Sequence, residues 1–400
     1  MNTVSEKITQ KPRILFFFIY LACLLGSTAY GFIYLLPIVV AHLGGNSIQV
    51  GIILGAAGLT TVICVSLTGY FTNHWGAENV CAIGGLICSL SFLLFCCSHQ
   101  INYFIYIAGL LLGCGWSLFY AALPMLVVRT VNKEERIKYL SYLSALVVVG
   151  LSIGPIIGKA LLLQNFSVNI IFYWPFIMSL LSSVIFFTLW CFHNSKDISH
   201  LHGPEKNKIN NGILTINLLR SEAKYPLIIG FLGACIFSAM MNFQTFYANS
   251  RSLDFSVYYT YYMMSVVMCR FVFGGVLSKK SPLMLLPYLV FLIAIGLIIM
   301  LYNSGNELLY GISAIVIGVG YGLFYPLVET YAVNVTAAAY HNQILAYFNL
   351  FYFIGIYAFP IFCGFIINCY NFSYLLSFLI VITLVNMLFC FAVNIRMKYF

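Results

Sequence analysis

Two ionisable side chains stand out because each falls inside a long apolar stretch of the sequence. Arg270 lies near the end of the run 256–278, and Glu329 follows Pro326 in the run 307–331. If these runs cross a membrane, charges there are costly and are functional candidates by default. We expect Arg270 and Glu329 to pair, either as a gating or coupling salt bridge or as a static pair at the inner helix ends.

No group of residues in the sequence has the spacing of a catalytic or metal centre. There is no His-rich box, no pair of carboxylates at membrane depth and no nucleophile elbow, and the thirteen cysteines form no CxxC or Cys/His ligand pattern. The glycines at 318, 320 and 322 lack the lysine and the strand of a phosphate-binding loop. The sequence therefore predicts neither an enzyme nor a metal site, and no cofactor.

Composition indicates a membrane protein. Hydrophobic residues make up 62% of the chain and charged residues only 7%, whereas soluble proteins are about 25% charged. The net charge of +9 comes from basic residues in short connectors between apolar runs, which does not suit a nucleic-acid partner. The lipid bilayer is thus the expected surrounding of most of the surface.

Apolar runs of the length that spans a bilayer, about 20 residues, occur twelve times. Short segments of alternating polarity, which a membrane barrel requires, are not found, so each run is predicted to be a helix. The runs lie near 13–41, 48–72, 79–98, 102–128, 138–163, 169–193, 225–248, 256–278, 283–302, 307–331, 342–367 and 373–394.

Basic residues are confined almost entirely to alternate connectors, and such connectors face the cytoplasm. Twelve crossings place both termini in the cytoplasm of a multi-pass protein of the plasma (inner) membrane. The opposite connectors hold little besides Lys159 and Arg251. The residues that set this orientation are Lys7, Lys11, Arg13, Arg129, Lys133, Arg136, Lys138, Lys279, Lys280, Arg396 and Lys398.

An internal repeat divides the chain into two related halves. A shift of 205 residues aligns the stretch 113–120 with 318–325 and, without a gap, Tyr142 with Tyr347 and Pro155 with Pro360. Parallel repeats of this kind build transporters from two six-helix bundles. We expect one bundle over 1–193, a cytoplasmic linker over 194–224 and a second bundle over 225–400.

The connector 69–76 resembles a loop motif of the major facilitator superfamily, and the resemblance extends over essentially the whole chain. Gly69 and Gly76 match the motif, but Asn73 stands in place of its aspartate and His74 in place of its arginine. The resemblance implies twelve transmembrane helices in two pseudo-symmetric bundles, an all-α integral membrane fold. The resemblance also implies that Gly69 and Asn73 belong to a gate. In the family this loop is taken to hold the two halves together through charge interactions, whereas here the loop is largely uncharged.

A second motif is similar to the Gly-Pro sequence of the exporter (antiporter) branch of that superfamily. It contains Gly154, Pro155 and Gly158 in the fifth predicted helix. Small residues permit close helix packing and proline bends a helix, so we expect these residues to take part in gating. The usual arginine of the fourth helix is absent, and Gly109 stands there.

In this superfamily helices one, four, seven and ten ordinarily line the substrate cavity. Their polar and aromatic residues suit a neutral or zwitterionic, partly apolar small molecule. The predicted cavity residues, with two from helix eleven, are Tyr30, Tyr34, Trp116, Tyr120, Asn242, Gln244, Tyr321, Tyr325, Tyr347 and Asn349.

The resemblance implies a monomeric secondary transporter that works by alternating access, coupled to an ion such as the proton. Export of a metabolite, drug-like compound or siderophore (metallophore) is the leading hypothesis. Proton-linked import of an amino acid, organic acid or sugar is the alternative, and a non-transporting, sensor-like member is a third.

Overall fold

The computed structural model describes residues 2–131, 136–194, 221–277, 281–337 and 340–399. Within these ranges the chain is helical almost throughout and contains no strand. The predicted all-α fold class is therefore confirmed. The predicted linker at 194–224 lies mostly outside the described residues.

The helices before the linker begin and end close to the predicted apolar runs. A short 3₁₀ turn, Phe32–Leu35, separates the first two of them. In chain order they are α1 (Asn2–Gly31), α2 (Leu36–His42), α3 (Ser47–Trp75), α4 (Ala77–Cys97), α5 (Tyr103–Thr130), α6 (Arg136–Leu163), α7 (Val168–Ile171) and α8 (Tyr173–Asn194).

The helices after the linker repeat this pattern. The first residues of α6 and α14, Arg136 and His341, lie 205 residues apart, which is the offset of the sequence repeat. They are α9 (Lys224–Asn242), α10 (Gln244–Ser250), α11 (Phe255–Leu277), α12 (Pro282–Tyr302), α13 (Glu307–Asn334), α14 (His341–Cys369) and α15 (Phe372–Tyr399).

Eleven of the described segments are helical, long and apolar enough to cross a membrane, so the chain is a multi-pass membrane protein. The one predicted span that is not among these eleven is 256–278. It corresponds to α11, a helix of 23 residues. Its sequence is nonetheless largely apolar, with Arg270 as its one charged residue.

Two predicted continuous spans contain breaks. The run 13–41 is divided at the turn Phe32–Leu35, just before Pro37 in the first turn of α2. Proline has no amide hydrogen and is favoured in the first turn of a helix, so Pro37 is well placed to start α2 here. The run 225–248 is divided at Phe243, between α9 and α10, where no glycine or proline marks the break.

By their internal contacts the residues group into two compact units. The first unit contains residues 1–33 and 59–203, and the second contains residues 34–58 and 204–400. Helix α3 contributes Ser47–Gly58 to the second unit and its remaining residues to the first.

Within the second unit, the first turns of α3 lie against α14. The Ser47 hydroxyl donates a hydrogen bond of 2.8 Å to the Gly364 carbonyl. A Cβ atom on Gly51 would lie only 2.5 Å from the Pro360 carbonyl oxygen. Because only glycine fits so close an approach of two backbones, Gly51 is a packing residue.

Candidate functional site

Three of the predicted cavity residues form a continuous aromatic stack in the first unit. Tyr30 of α1 stacks on Trp116 of α5 with ring centroids 4.0 Å apart and planes inclined by 21°. Trp116 in turn stacks on Tyr120, one turn further along α5, at 5.5 Å. Tyr30 and Trp116 are almost fully buried and Tyr120 is half-buried. This stack is therefore accessible mainly at Tyr120, which offers both a ring and a hydroxyl group.

The Gly-Pro motif of α6 lies against α1. A Cβ atom on Gly154 would lie 2.6 Å from the carbonyl carbon of Gly31, so the two backbones are in direct contact. Pro155 and Gly158 are buried next to it in the same helix. The motif thus holds α6 close to α1, the helix that carries Tyr30.

The uncharged loop motif at the end of α3 is hydrogen-bonded to a charged side chain. Arg129, in the last turn of α5, donates hydrogen bonds to the Thr72 carbonyl at 3.0 Å and to Asn73 Oδ1 at 2.8 Å. The sequence analysis included Arg129 only among the basic residues that set the orientation, and the structure shows that it binds this loop. Gly69 has open space around its Cα, because a Cβ atom there would meet nothing within 4 Å.

In the second unit, an aromatic group of five residues combines rings with hydroxyl and amide groups. It consists of Phe237, Tyr321, Tyr325, Asn349 and Tyr352, from α9, α13 and α14. Tyr321 stacks on Phe237 at 4.6 Å, and its hydroxyl oxygen lies 2.5 Å from that of Tyr352. The Tyr325 hydroxyl lies 3.5 Å from Asn349 Oδ1, the outer limit of a hydrogen bond.

Other predicted cavity residues of this unit are engaged in packing. Asn242 donates to the Ser238 carbonyl one turn back in α9, at 2.9 Å. Gln244 is fully buried, and its Oε1 atom accepts a hydrogen bond of 2.9 Å from the Tyr310 hydroxyl. These amides therefore stabilise the region of the break between α9 and α10. Tyr347 is half-buried in α14.

A buried tyrosine cluster surrounds this break, and the sequence analysis missed it. Tyr258 of α11 packs against Tyr310 of α13 with ring centroids 5.8 Å apart. Tyr259 stacks on Tyr34 at 5.7 Å, and its hydroxyl donates to the Met241 carbonyl at 2.7 Å. The concentration of tyrosine at 258–262 was a visible signal, but α11 is not a helix expected to line the cavity.

The two candidate charges lie on α11 and α13 of the second unit. Arg270 Nε donates to the Gly322 carbonyl at 3.1 Å, and the guanidinium attracts the half-buried Glu329 carboxylate. Among the described side chains, the ion pair of contact length is Arg396 with Glu222, at 3.7 Å. A salt bridge of contact length between Arg270 and Glu329 is thus not seen among the described residues, and their attraction acts over a longer distance.

In the described part of the chain, no group of three or more His, Cys, Asp or Glu residues could hold a metal ion. The chemistry that these residues offer is aromatic stacking and hydrogen bonding by hydroxyl and amide groups. Such groups bind and orient a molecule without changing its covalent bonds.

Comparison with known proteins identifies the family. The sequence model of the Major Facilitator Superfamily matches residues 16–360. The Multidrug resistance protein 2 of Bacillus subtilis (strain 168) is 26% identical over 145 residues, which is 36% of this chain. The matched region spans only 35% of that relative's length.

Solved structures share the fold over nearly the entire chain. The nucleoside transporter NupG superimposes with a TM-score of 0.76 at 14% identity, over 96% of this chain and 100% of its own. A variant of the peptide transporter POT in complex with sulfate gives a TM-score of 0.75 at 12% identity, over 96% of this chain and 94% of its own. At these identities the likeness concerns the fold.

Proposed function

Because this chain belongs to the major facilitator superfamily of transporters, we propose that it exports a small, neutral or zwitterionic organic molecule that contains a flat ring. Transport proceeds by alternating access in the plasma (inner) membrane, with both termini in the cytoplasm. The observation that carries the proposal is the aromatic group of the second unit, where ring faces and hydrogen-bonding groups occur side by side.

The chemistry of this group defines the substrate class. Tyr321 and Phe237 offer stacked faces, and Tyr325, Asn349 and Tyr352 offer hydroxyl and amide groups at the ring edges. Aromatic faces bind flat or partly apolar molecules, and hydroxyl groups select those with polar substituents. None of the five residues is charged, so a strongly anionic or cationic substrate has no counter-charge among them.

The aromatic stack of the first unit supports the same substrate class. Tyr30, Trp116 and Tyr120 are stacked with one another and carry no charge. We propose Trp116 and Tyr120 as a second aromatic contact for the transported molecule. The other predicted cavity residues are less favoured because they lie outside the two aromatic groups; they are Tyr34, Asn242, Gln244 and Tyr347.

Two observations favour export over import. Gly154 and Pro155 occupy the positions of the exporter motif, and Gly154 makes the backbone contact that such a motif requires. The matched relative is named as a multidrug resistance protein. Glu329 is the candidate for gating or coupling together with Arg270, since it is the acid nearest to the interior of a predicted span.

The first test compares cells that lack the protein with cells that overproduce it, using mass spectrometry of small molecules inside and outside. We expect a ring-containing compound to accumulate inside the deletion strain and to appear outside on overproduction. Depletion of a compound from the medium only when the protein is present would instead establish import. No change in either direction would favour a non-transporting member and contradict the proposal.

Variants then connect the identified compound to the site. Removal of one hydroxyl by Tyr352→Phe is expected to weaken binding by about tenfold, equivalent to about 1.4 kcal/mol, the scale of one lost hydrogen bond. Tyr302→Phe is the matched control, because Tyr302 is exposed at the end of α12. Equal affinities of both variants and the unmodified protein, measured by titration calorimetry, would place the substrate elsewhere.

A further inference from the structure

Two cysteines on neighbouring helices of the first unit bring their sulfur atoms close together. Cys64 of α3 donates a hydrogen bond to Cys114 of α5, with 3.4 Å between the two Sγ atoms. Both thiols are free and half-buried. No other pair of Sγ atoms in the described residues makes such a hydrogen bond.

The helices approach each other closely at the level of these cysteines. Thr60 Oγ1 donates to the Leu110 carbonyl at 2.7 Å, and Thr61 Oγ1 donates to the Gly113 carbonyl at 3.1 Å. A disulfide bond needs sulfur atoms about 2.05 Å apart. The two sulfur atoms therefore have to approach by about 1.3 Å, and each side chain has a rotatable Cα–Cβ bond that moves its sulfur atom.

A cavity of about 260 Å³ gives access to this pair. Both cysteines line it, together with apolar side chains that include Leu67, Phe71 and Trp75. Leu67 is 43% exposed and Trp75 is 45% exposed, so the cavity is reachable from outside the protein. Its apolar, partly aromatic wall admits a small uncharged ring compound and disfavours an ion, because desolvating an ion there is costly.

We propose that Cys64 and Cys114 form a dithiol modification site, which a small, uncharged, membrane-permeant two-electron oxidant of the quinone or azo type converts into a disulfide. One S–S bond forms and two S–H bonds break. The two protons and two electrons pass to the oxidant, which becomes a hydroquinone or a hydrazine. A dithiol reductant reverses the reaction by thiol–disulfide exchange. The site is independent of the transported molecule.

The surroundings of other cysteines predict selectivity. Cys88 is 5% exposed, and its thiol points to the Leu112 carbonyl, 4.0 Å away. Cys97 is exposed, but no sulfur atom lies within hydrogen-bonding distance of it among the described residues. Cys64 and Cys114 alone combine accessibility with a second sulfur atom in contact.

The test uses the purified, reduced, full-length protein and azodicarboxamide as the oxidant. After brief oxidation the remaining thiols are alkylated, the protein is digested, and the peptides are analysed by mass spectrometry. We expect a linked peptide pair containing Cys64 and Cys114 that is lighter by two hydrogen atoms. Both residues should be lost from the alkylated peptides before any other cysteine, and dithiothreitol should restore them.

Single variants control for proximity and folding. Cys64→Ser must leave Cys114 fully alkylated after oxidation, and Cys114→Ser must do the same for Cys64, whereas Cys88→Ser must still yield the linked pair. The proposal is overturned if Cys64 and Cys114 are still alkylated in samples in which other cysteines have already been oxidised. It is also overturned if either residue forms its disulfide with a different cysteine. The unmodified protein alone decides the question if a serine variant does not fold.

Discussion

The two units use short and long hydroxyl side chains to different extents to join their helices, although Ser47 of the second unit and Tyr20 of the first also donate to neighbouring helices. In the first unit, short serine hydroxyls donate to backbone carbonyls of neighbouring helices. These bonds are Ser91 to Ala108 at 2.6 Å, Ser179 to Gly85 at 2.8 Å, Ser182 to Ala22 at 2.7 Å and Ser183 to Ala82 at 2.6 Å. In the second unit, tyrosine hydroxyls span longer distances. These are Tyr247 to Met300 at 2.8 Å, Tyr259 to Met241 at 2.7 Å, Tyr310 to Gln244 at 2.9 Å, and Tyr321 with Tyr352.

The same contrast appears where the repeat puts glycine in one half and an aromatic residue in the other. Gly154 of α6 allows contact with the backbone of α1, and its repeat counterpart in α14 is Phe359. Phe359 packs against Phe378 with ring centroids 6.5 Å apart. Small residues bring helices close together, whereas rings keep them apart and place polar groups between them.

This difference indicates a division of labour within one duplicated fold. A serine hydroxyl that donates its hydrogen atom to a carbonyl has no donor left for another molecule. The serines therefore mainly fix the positions of helices. Tyrosines provide both a ring face and a hydroxyl, and such a surface is able to bind a molecule. We therefore expect substitutions in the serine contacts to affect stability, and substitutions in the aromatic group to affect binding.

The largest effect is expected at the glycine contact. Gly154→Leu places a side chain where even a Cβ atom would lie 2.6 Å from the Gly31 backbone, so α1 and α6 must separate. We expect a loss of about 3 kcal/mol or more and little folded protein. Fluorescence-detected size-exclusion chromatography measures the yield, and Gly69→Leu is the matched control. That control should fold normally, and equal losses for both variants would show that packing at Gly154 is not the cause.

The second-largest effect on function is expected at Arg270 of the second unit, and Arg129 of the first unit is the comparison. Arg270→Met removes the charge that attracts the half-buried Glu329, and we expect transport to fall by about tenfold, an effect of about 1.4 kcal/mol. Arg129→Met removes bonds at an exposed helix end, and less than a threefold loss is expected, within the range of surface interactions of about 1 kcal/mol. Initial rates in proteoliposomes provide the measurement.

A double variant distinguishes a charge interaction between Arg270 and Glu329 from independent losses of transport caused by each substitution. If Arg270 and Glu329 act together, then Glu329→Gln alone should also impair transport, and the combination of Arg270→Met with Glu329→Gln should recover much of the activity. Unimpaired single variants would refute a role in gating or coupling. Additive losses would show that each residue acts alone.

The last comparison takes one hydroxyl from each unit, and the difference expected between the two variants is the smallest. Tyr259→Phe leaves the Met241 carbonyl, next to the helix break, without the donor seen in the structure, and a loss of about 1–3 kcal/mol is expected. Ser182→Ala removes a donor from the Ala22 carbonyl, which lies inside α1 and already accepts an intrahelical bond. Its expected loss is about 0.5–1.5 kcal/mol. Thermal unfolding in detergent compares the two, and the reverse order would contradict the proposed importance of the break.

Much of the fold could be predicted from the sequence, because apolar runs in a membrane have one structural outcome, the helix. The breaks were harder to predict. Pro37 marked the interruption before α2, but Phe243 gives no local sign. The break there is accommodated by the Tyr259 hydroxyl on another helix, a contact that no local pattern contains.

The site residues could be predicted in part. Tyr30, Trp116 and Tyr120 do stack, and Tyr321 and Tyr325 do lie in one aromatic group. Asn349 of the same group was predicted too, whereas Phe237 was not predicted as a site residue, because which rings meet depends on the rotation of each helix about its axis. Whether these residues bind the substrate stays a prediction.

The hydrogen bond from Arg129 to Asn73 has a consequence for how this loop responds to ionic strength. An arginine–aspartate pair joins two net charges, and dissolved ions weaken their attraction with a screening length of about 8 Å at physiological salt. Asn73 carries no net charge, so little long-range attraction exists to be screened, and the short contact of 2.8 Å depends on geometry alone. The end of α3 should therefore hold its position on α5 in dilute and in concentrated salt solutions alike.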